Sequence, residues 1–410
     1  MNQETPVVEP LDAVCSDSLY CFSPENRRGL NVPEFPGYLS CLDEDWIFQT
    51  RVDPDYYSPA EVAYIKRFRF SRSKNNRMRA HFESMDVPVL VPPKETVSGF
   101  VHTDADPGFK YVNVVLVGFE SVEIFNIVVE VPGIKADYEE VDLDSLYTRE
   151  EIVDCDEEEL RAALEKMPCC TTNKRGTGKG DPLNLVFIGD VEDLLVALVG
   201  SGWDVTERMS SGSMWRTVKS FFLGKRYRHS PVSSLYVFGR RQDAAFQKAR
   251  QSVNERNHLR LWLSPLRFKN KPVWIGQISR DIGVKFTLRV GFLTTHVIDP
   301  DVDNDRWYLI QNLVEAHALA KLGYVAGVGK APPDNPKHNL GGDPYFTDGL
   351  RAVMVCTKFP VRFKDVELFD WEFPPQSEKY RDYLVRQVKP GRKESRPDRA
   401  AGFSHRRGTR

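Results

Sequence analysis

The chain has 410 residues, 56 Lys+Arg against 58 Asp+Glu, and 41% hydrophobic residues, a length that suggests two to three domains of ~150 residues with a proper core. Twenty-four Phe and seven Trp exclude a wholly disordered chain, and no run approaches the ~20 apolar residues of a membrane span. The net charge of −2 hides an asymmetry: residues 1–180 hold 19 basic and 33 acidic residues, net −14, and residues 181–410 hold 37 and 25, net +12.

Residues 1–60 are rich in Pro, Asp and Glu without a sustained period, and 1–80 read as an extended, partly disordered arm. The N-terminus lacks a basic n-region and an apolar h-region, so a cytoplasmic location is expected, with the cell envelope as the alternative if the true start lies elsewhere. Residues 66–79 carry seven basic residues and no acid, with Phe68 and Phe70 between them. Such a segment can bind nucleic acid or a membrane surface; a solvated strand or helix face is the better explanation, because the segment is short, an acidic run lies nearby and no recognised nucleic-acid module accompanies it. Seven cysteines form no C-x2-C pair, which excludes a zinc ribbon and leaves reduced thiols as the expected state.

Residues 81–135 read as strands: Val87 to Val91, Val97 to His102, then Tyr111 to Val117 and Val122 to Val131 as a hairpin. A small antiparallel sandwich fits them. Residues 136–180 form an acidic connector, with 13 acids in 137–165. Its acids precede a helix carrying Leu160, Ala163 and Leu164, where the helix dipole favours them. The glycine-rich loop 176–182 follows. A phosphate-binding P-loop needs a strand before it and a helix after it; here the strand, Leu183 to Ile188, comes after, so the order is reversed.

From 181 to 358 the pattern is α+β with a mostly antiparallel sheet. Asp190 caps a helix with Leu194, Leu195 and Leu198 on one face, and Ser213 opens a second. The strands Leu235 to Phe238, Asn257 to Leu263, Val273 to Ser279, Val284 to Val290 and Leu293 to Ile298 succeed one another. A third helix is expected from Val302 to Leu322 and a last strand from Leu350 to Cys356. Residues 359–410 are an extension whose end, 389–410, holds eight basic residues against two acids and is expected to be disordered.

Strand side chains alternate between faces. Leu259, Leu261 and Leu263 therefore oppose His258, Arg260 and Trp262, and a paired sheet would carry one greasy face and one bearing His, Arg and Thr. That polar face is either a solvated sheet surface or a site. As a site it takes an anion, because guanidinium forks match carboxylate and phosphate geometry. The candidate catalytic residues are His258 and His296 for proton transfer and Asp281 as an orienter; the candidate clamp is Arg241, Arg260 and Arg280. The run 299–305 has four alternating aspartates, but no EF-hand register fits, and helix capping explains it. A His296–Asp299 metal pair is a minor alternative, and neither a metal nor a cofactor is expected. Gly180-Asp181-Pro182 and Gly342-Asp343-Pro344 repeat, which common turn chemistry explains as coincidence.

The ordered blocks Cys169-Cys170-Thr171-Thr172-Asn173, Gly180-Asp181-Pro182-Leu183-Asn184, Leu235-Tyr236-Val237-Phe238-Gly239-Arg240, Asn257-His258-Leu259-Arg260-Leu261-Trp262, Asp281-Ile282-Gly283, Thr295-His296-Val297-Ile298-Asp299-Pro300 and Gly342-Asp343-Pro344-Tyr345-Phe346-Thr347-Asp348-Gly349 resemble the LssY C-terminal domain family of bacterial proteins over about 181–356. The resemblance implies no assigned reaction. In some relatives the domain follows a membrane-embedded phosphatase-like or transporter-like region, which implies an envelope or lipid-phosphate context by association. Some relatives carry two histidines where this chain has Asn257-His258. Two functions follow as expectations: a hydrolase acting on an anionic or phosphorylated substrate, or a non-catalytic module holding an anionic small molecule or envelope component on the same face.

Overall fold

The computed structural model describes residues 47–49, 58–66, 71–88, 90–92, 96–102, 108–118, 122–133, 136–206, 232–249, 256–286 and 294–375. The helix expected from Ser213, most of the strand Val284 to Val290 and the basic tail lie outside these residues.

Strand β1 (Ile47–Gln49) is followed by helices α1 (Pro59–Ile65) and α2 (Arg72–Met85). Helical structure therefore interrupts the expected extended arm. The reason is local: Ser58 and Glu61 form a reciprocal capping box with Pro59 just inside the helix. Strands β2 (Leu90–Val91), β3 (Gly108–Val117) and β4 (Val122–Val131) join β1 in a sheet of order β2-β1-β3-β4. The β3–β4 hairpin is as expected. Among the described residues, however, the strands make one sheet rather than a two-sheet sandwich, and Phe109, Tyr111 and Val128 pack onto the main core.

The acidic connector supplies β5 (Val153–Cys155) and α3 (Glu157–Lys166), with Asp156 as its cap and Leu160 and Leu164 fully buried. Strands β6 (Cys170–Thr172) and β7 (Lys179–Pro182) then form a hairpin around the glycine-rich turn, where Gly176 takes φ +69°. No helix follows it. Cys169 and Cys170 are joined as a disulfide between sequence neighbours, a departure from the expected reduced thiols, whereas Cys155 and Cys356 are free and buried.

Next come β8 (Leu185–Ile188), α4 (Val191–Gly200) and β9 (Asp204–Val205). All four residues of β8 are buried, as a strand covered on both faces requires. Beyond residue 232 lie β10 (Tyr236–Val237), β11 (Arg240–Arg241), β12 (Ala244–Ala249), β13 (Arg256–Phe268), β14 (Lys271–Phe286) and β15 (Thr294–Ile298). β14 runs through from Val273 past Ser279 to Val284, two separate strands in the sequence pattern, with a register shift between Asp281 and Gly283. At Gly276 a Cβ would stand 2.8 Å from the Leu261 side chain, so any larger residue there would make Leu261 shift.

Helix α5 (Val302–Glu315) ends seven residues before the expected Leu322, and β16 (Leu319–Ala326) takes the remainder. His317 turns the chain with φ +57°, and Leu319 onward pairs with the last long strand. Sheet pairing thus overrides the helical spacing of the apolar residues. Short β17 (Lys337–His338) and β18 (Pro344–Tyr345) precede β19 (Leu350–Cys356) and β20 (Glu367–Leu368).

The main sheet has the order β20-β16-β19-β8-β14-β13-β12-β9, with β15 on β14 and β5 on β13. Most pairs are antiparallel, while β8–β19, β5–β13 and β16–β20 are parallel. The fold class is α+β, as expected. One face of the sheet builds the main core with α4 and α5, through residues such as Leu198, Leu259, Leu261, Leu309 and Met354. The other face is covered by α3, through Leu160, Val186 and Val353, and by the sheet β11-β10-β6-β7, where Leu183, Leu235 and Val237 meet Trp262 and Ile275.

Candidate active site

The polar residues of the second face gather on β12, β13 and β14. Because Leu259 and Leu261 are committed to the main core, alternation sends Arg256, His258 and Arg260 to the opposite face. Register then sets Gln247 and Ser279 on either side of His258, and Gln277 beside Arg260. The bulge after Asp281 re-aims the strand at this point.

His258 Nε2 and Asp281 Oδ2 are 2.7 Å apart, with His258 7% and Asp281 4% exposed. The carboxylate selects the tautomer in which Nε2–H donates, which leaves Nδ1 as the basic nitrogen. Arg256 donates to Gln247 at 3.0 Å. Arg260 donates to the Ser233 carbonyl and hydroxyl and, at 2.9 Å, to Gln277. Burial pushes the His258 imidazole below its ordinary range, and the Arg256 and Arg260 guanidiniums push the same way, against the opposing pull of Asp281. Arg256 is lowered by burial, again opposed by Asp281.

A wall rises from β7 and the loop around 339–345. Asn339 donates to the half-buried Asp181 carboxyl at 2.9 Å, and its own side-chain oxygen accepts from the Asp343 backbone N–H. Burial raises the Asp181 carboxyl; Asn339 and Arg260 oppose the rise, and the Asp343 and Asp281 charges add to it. Tyr345 is pushed up to about 12 by burial, with the Asp181 charge contributing. Ser233 is exposed and Asn339 partly so, so solvent reaches this edge of the patch, while Arg256, His258, Arg260 and Asp281 are themselves buried, His258 Nδ1 included.

The expected site residues therefore separate. His258, Asp281 and Arg260 come together. Arg280 does not: as the strand neighbour of Asp281 it faces the other way, 2.8 Å from the fully buried Asp305 and 3.6 Å from Asp299. Arg241 sits in the β10–β11 hairpin, opposite Tyr236. The His296 backbone pairs with Val284 in β15, and its side chain lies outside the described residues.

The aspartate run 299–305 is structural. Asp301 caps α5, Asp303 accepts from Thr347 and the Asp348 N–H, and Asp305 meets Arg280. Arg240 grips Asp243 with two hydrogen bonds and ties Tyr147 to the Leu263 carbonyl. Among the described residues, no group of three or more His, Cys, Asp or Glu is placed to hold a metal.

Sequence reasoning missed Arg256, Asp181, Asn339 and the glutamines. Arg256 lies one residue before the expected strand. Asp181 carried a signal, because the two Gly-Asp-Pro turns do meet: Asp181 and Asp343 share Asn339 as a hydrogen-bonding neighbour.

Residues 161–350 match the family model described as LssY C-terminus, starting 20 residues upstream of the expected match and so including most of α3. No curated protein and no solved structure matches the chain.

Proposed function

We propose that the domain matching the LssY C-terminus family model over residues 161–350 is a hydrolase of small phosphorylated substrates, with His258 and Asp281 as its acid/base pair. The observation that carries the reading is the buried 2.7 Å His258–Asp281 contact flanked by two arginines. Such a cluster is a poor investment in stability, since burying charge costs several kcal/mol per ion and apolar residues would serve the fold as well. Perturbed titratable groups concentrated at one place mark functional sites.

In the reaction the Arg256 guanidinium holds the phosphoryl oxygens, and Arg260, anchored by Ser233 and Gln277, adds positive potential. His258 Nδ1 takes the proton from an attacking water. Asp281 holds the ring in orientation and stabilises the imidazolium that forms. The depressed basicity of His258 keeps it neutral, and so able to act as a base, at neutral pH.

A second reading, a non-catalytic module binding the same anions, draws support from Arg260, three of whose donors are engaged by protein acceptors. A panel of phosphoesters tested with wild type, His258→Ala and Asp281→Asn separates the two. The hydrolase reading expects turnover that falls by about 100-fold or more in His258→Ala. Turnover left intact in both variants rejects it, and phosphate binding without turnover in wild type favours the binding module.

A further inference from the structure

The two Gly-Asp-Pro turns converge on the site, and this juxtaposition has chemical content. Gly180 lies tight in the β6–β7 hairpin: a Cβ there would stand 2.5 Å from the Thr171 hydroxyl oxygen, while the hydroxyl itself donates to the Asp181 carbonyl. The hairpin thereby fixes the Asp181 backbone, and its carboxyl lies where the charges of Arg260 and Asp281 act on it. From the other side the turn at Gly342, φ +79°, returns the chain so that Asn339 and Asp343 bond each other twice, and Asn339 grips the Asp181 carboxyl. Arg260, Asp281, Asp343 and Tyr345 are the charged or titratable groups that act on Asp181 from the surrounding elements.

We infer that Asp181 is a second catalytic carboxyl, the general acid that protonates the leaving oxygen while His258 deprotonates the attacking water. This rests on the hydrolase reading above. A carboxylate beside a phosphorylated substrate would repel it, whereas a protonated carboxyl donates to it. Burial and two neighbouring carboxylates favour the protonated form of Asp181, and burial between two arginines favours the neutral form of His258. Titratable groups on one site driven in opposite directions take the acid and base roles respectively.

The step balances without a co-reactant. Water oxygen bonds to phosphorus as the bond from phosphorus to the ester oxygen breaks. One water proton passes to His258 Nδ1, and the Asp181 proton passes to the departing oxygen, giving alcohol and phosphate. The His258 proton then returns to the Asp181 carboxylate through solvent. Asn339 is a positioning residue that holds the Asp181 carboxyl in place.

The test uses the full chain and two substrates that differ in leaving group, phenyl phosphate and p-nitrophenyl phosphate. A general acid matters for the poor leaving group and hardly at all for the good one. Asp181→Asn is expected to lose about 100-fold in kcat on phenyl phosphate and less than about 3-fold on p-nitrophenyl phosphate, while His258→Ala loses on both. Asn339→Ala, whose Asp181 is intact but unanchored, is expected to show the same substrate pattern at smaller amplitude, and serves if Asp181→Asn fails to fold. Equal losses on the two substrates in both variants, or no loss in either, overturn the Asp181 role while leaving the hydrolase reading standing. A wild type inactive on both phosphoesters and on the wider panel overturns the two together.

Discussion

At the scale of single residues, the face of a strand decides who can take part. Asp281 and Arg280 are neighbours in sequence, yet one contacts His258 and the other Asp305 across the sheet. Alternation was legible for His258 and Arg260 because Leu259 and Leu261 advertise the buried face. Arg280 was misread by grouping charge along the chain instead of across it. Asp181 was beyond the reach of periodicity, because a hairpin folding back over a sheet is a long-range event that local spacing does not encode.

His258 yields a kinetic prediction at this scale. With its imidazole below the ordinary histidine value of about 6.5, kcat/KM for hydrolysis of phenyl phosphate should climb as pH rises through that depressed value and fall again as the raised Asp181 carboxyl loses its proton. Asp281 pulls the value up, so in Asp281→Asn the acid limb should move to still lower pH as the maximal rate falls. A limb that stays in place, measured as kcat/KM against pH, would remove His258 from the proton transfer.

Elements are held to the sheet by buried polar clasps that carry no chemistry. Arg351 is fully buried in β19, and its guanidinium donates to the carbonyls of Leu164, Met167, Pro168 and Gly327, sealing the C-terminal end of α3. Burial pushes it down to about 10. Arg351→Met should cost about 3 kcal/mol in urea unfolding by orphaning these carbonyls. At the other end of α3, Asp156 accepts from the Glu158 and Glu159 N–H groups, and Asp156→Ala should cost about 1 kcal/mol. A smaller loss in Arg351→Met than in Asp156→Ala would contradict this ordering. The acidic start of α3, the cap of α4 and the strand β19 could be read from local pattern. The end of α5 could not, because the choice between more helix and a strand beside β19 is made by a partner about 35 residues away.

For the whole molecule, the charge asymmetry is bridged rather than segregated. Glu157, in the acidic half, meets Lys321 in the basic half at 2.8 Å. The acidic connector is thus laid against the sheet and not held apart as a linker. The buried histidine links the site to global stability. Its folded value lies below the unfolded one, so the unfolded chain binds more protons on acidification. Wild-type stability relative to His258→Gln should therefore be constant above pH about 6.5 and fall as pH drops below it. Denaturant unfolding at several pH values measures this, and a difference independent of pH would mean that His258 is not held neutral.

The most direct test follows the eight histidines of the full chain by NMR during titration with inorganic phosphate, with His258 assigned from the His258→Gln spectrum. A phosphate site on the second face of the sheet predicts a saturable change in the His258 imidazole signals that is lost in Arg256→Met. His258 signals unmoved at saturating phosphate, or moved equally in Arg256→Met, would contradict it.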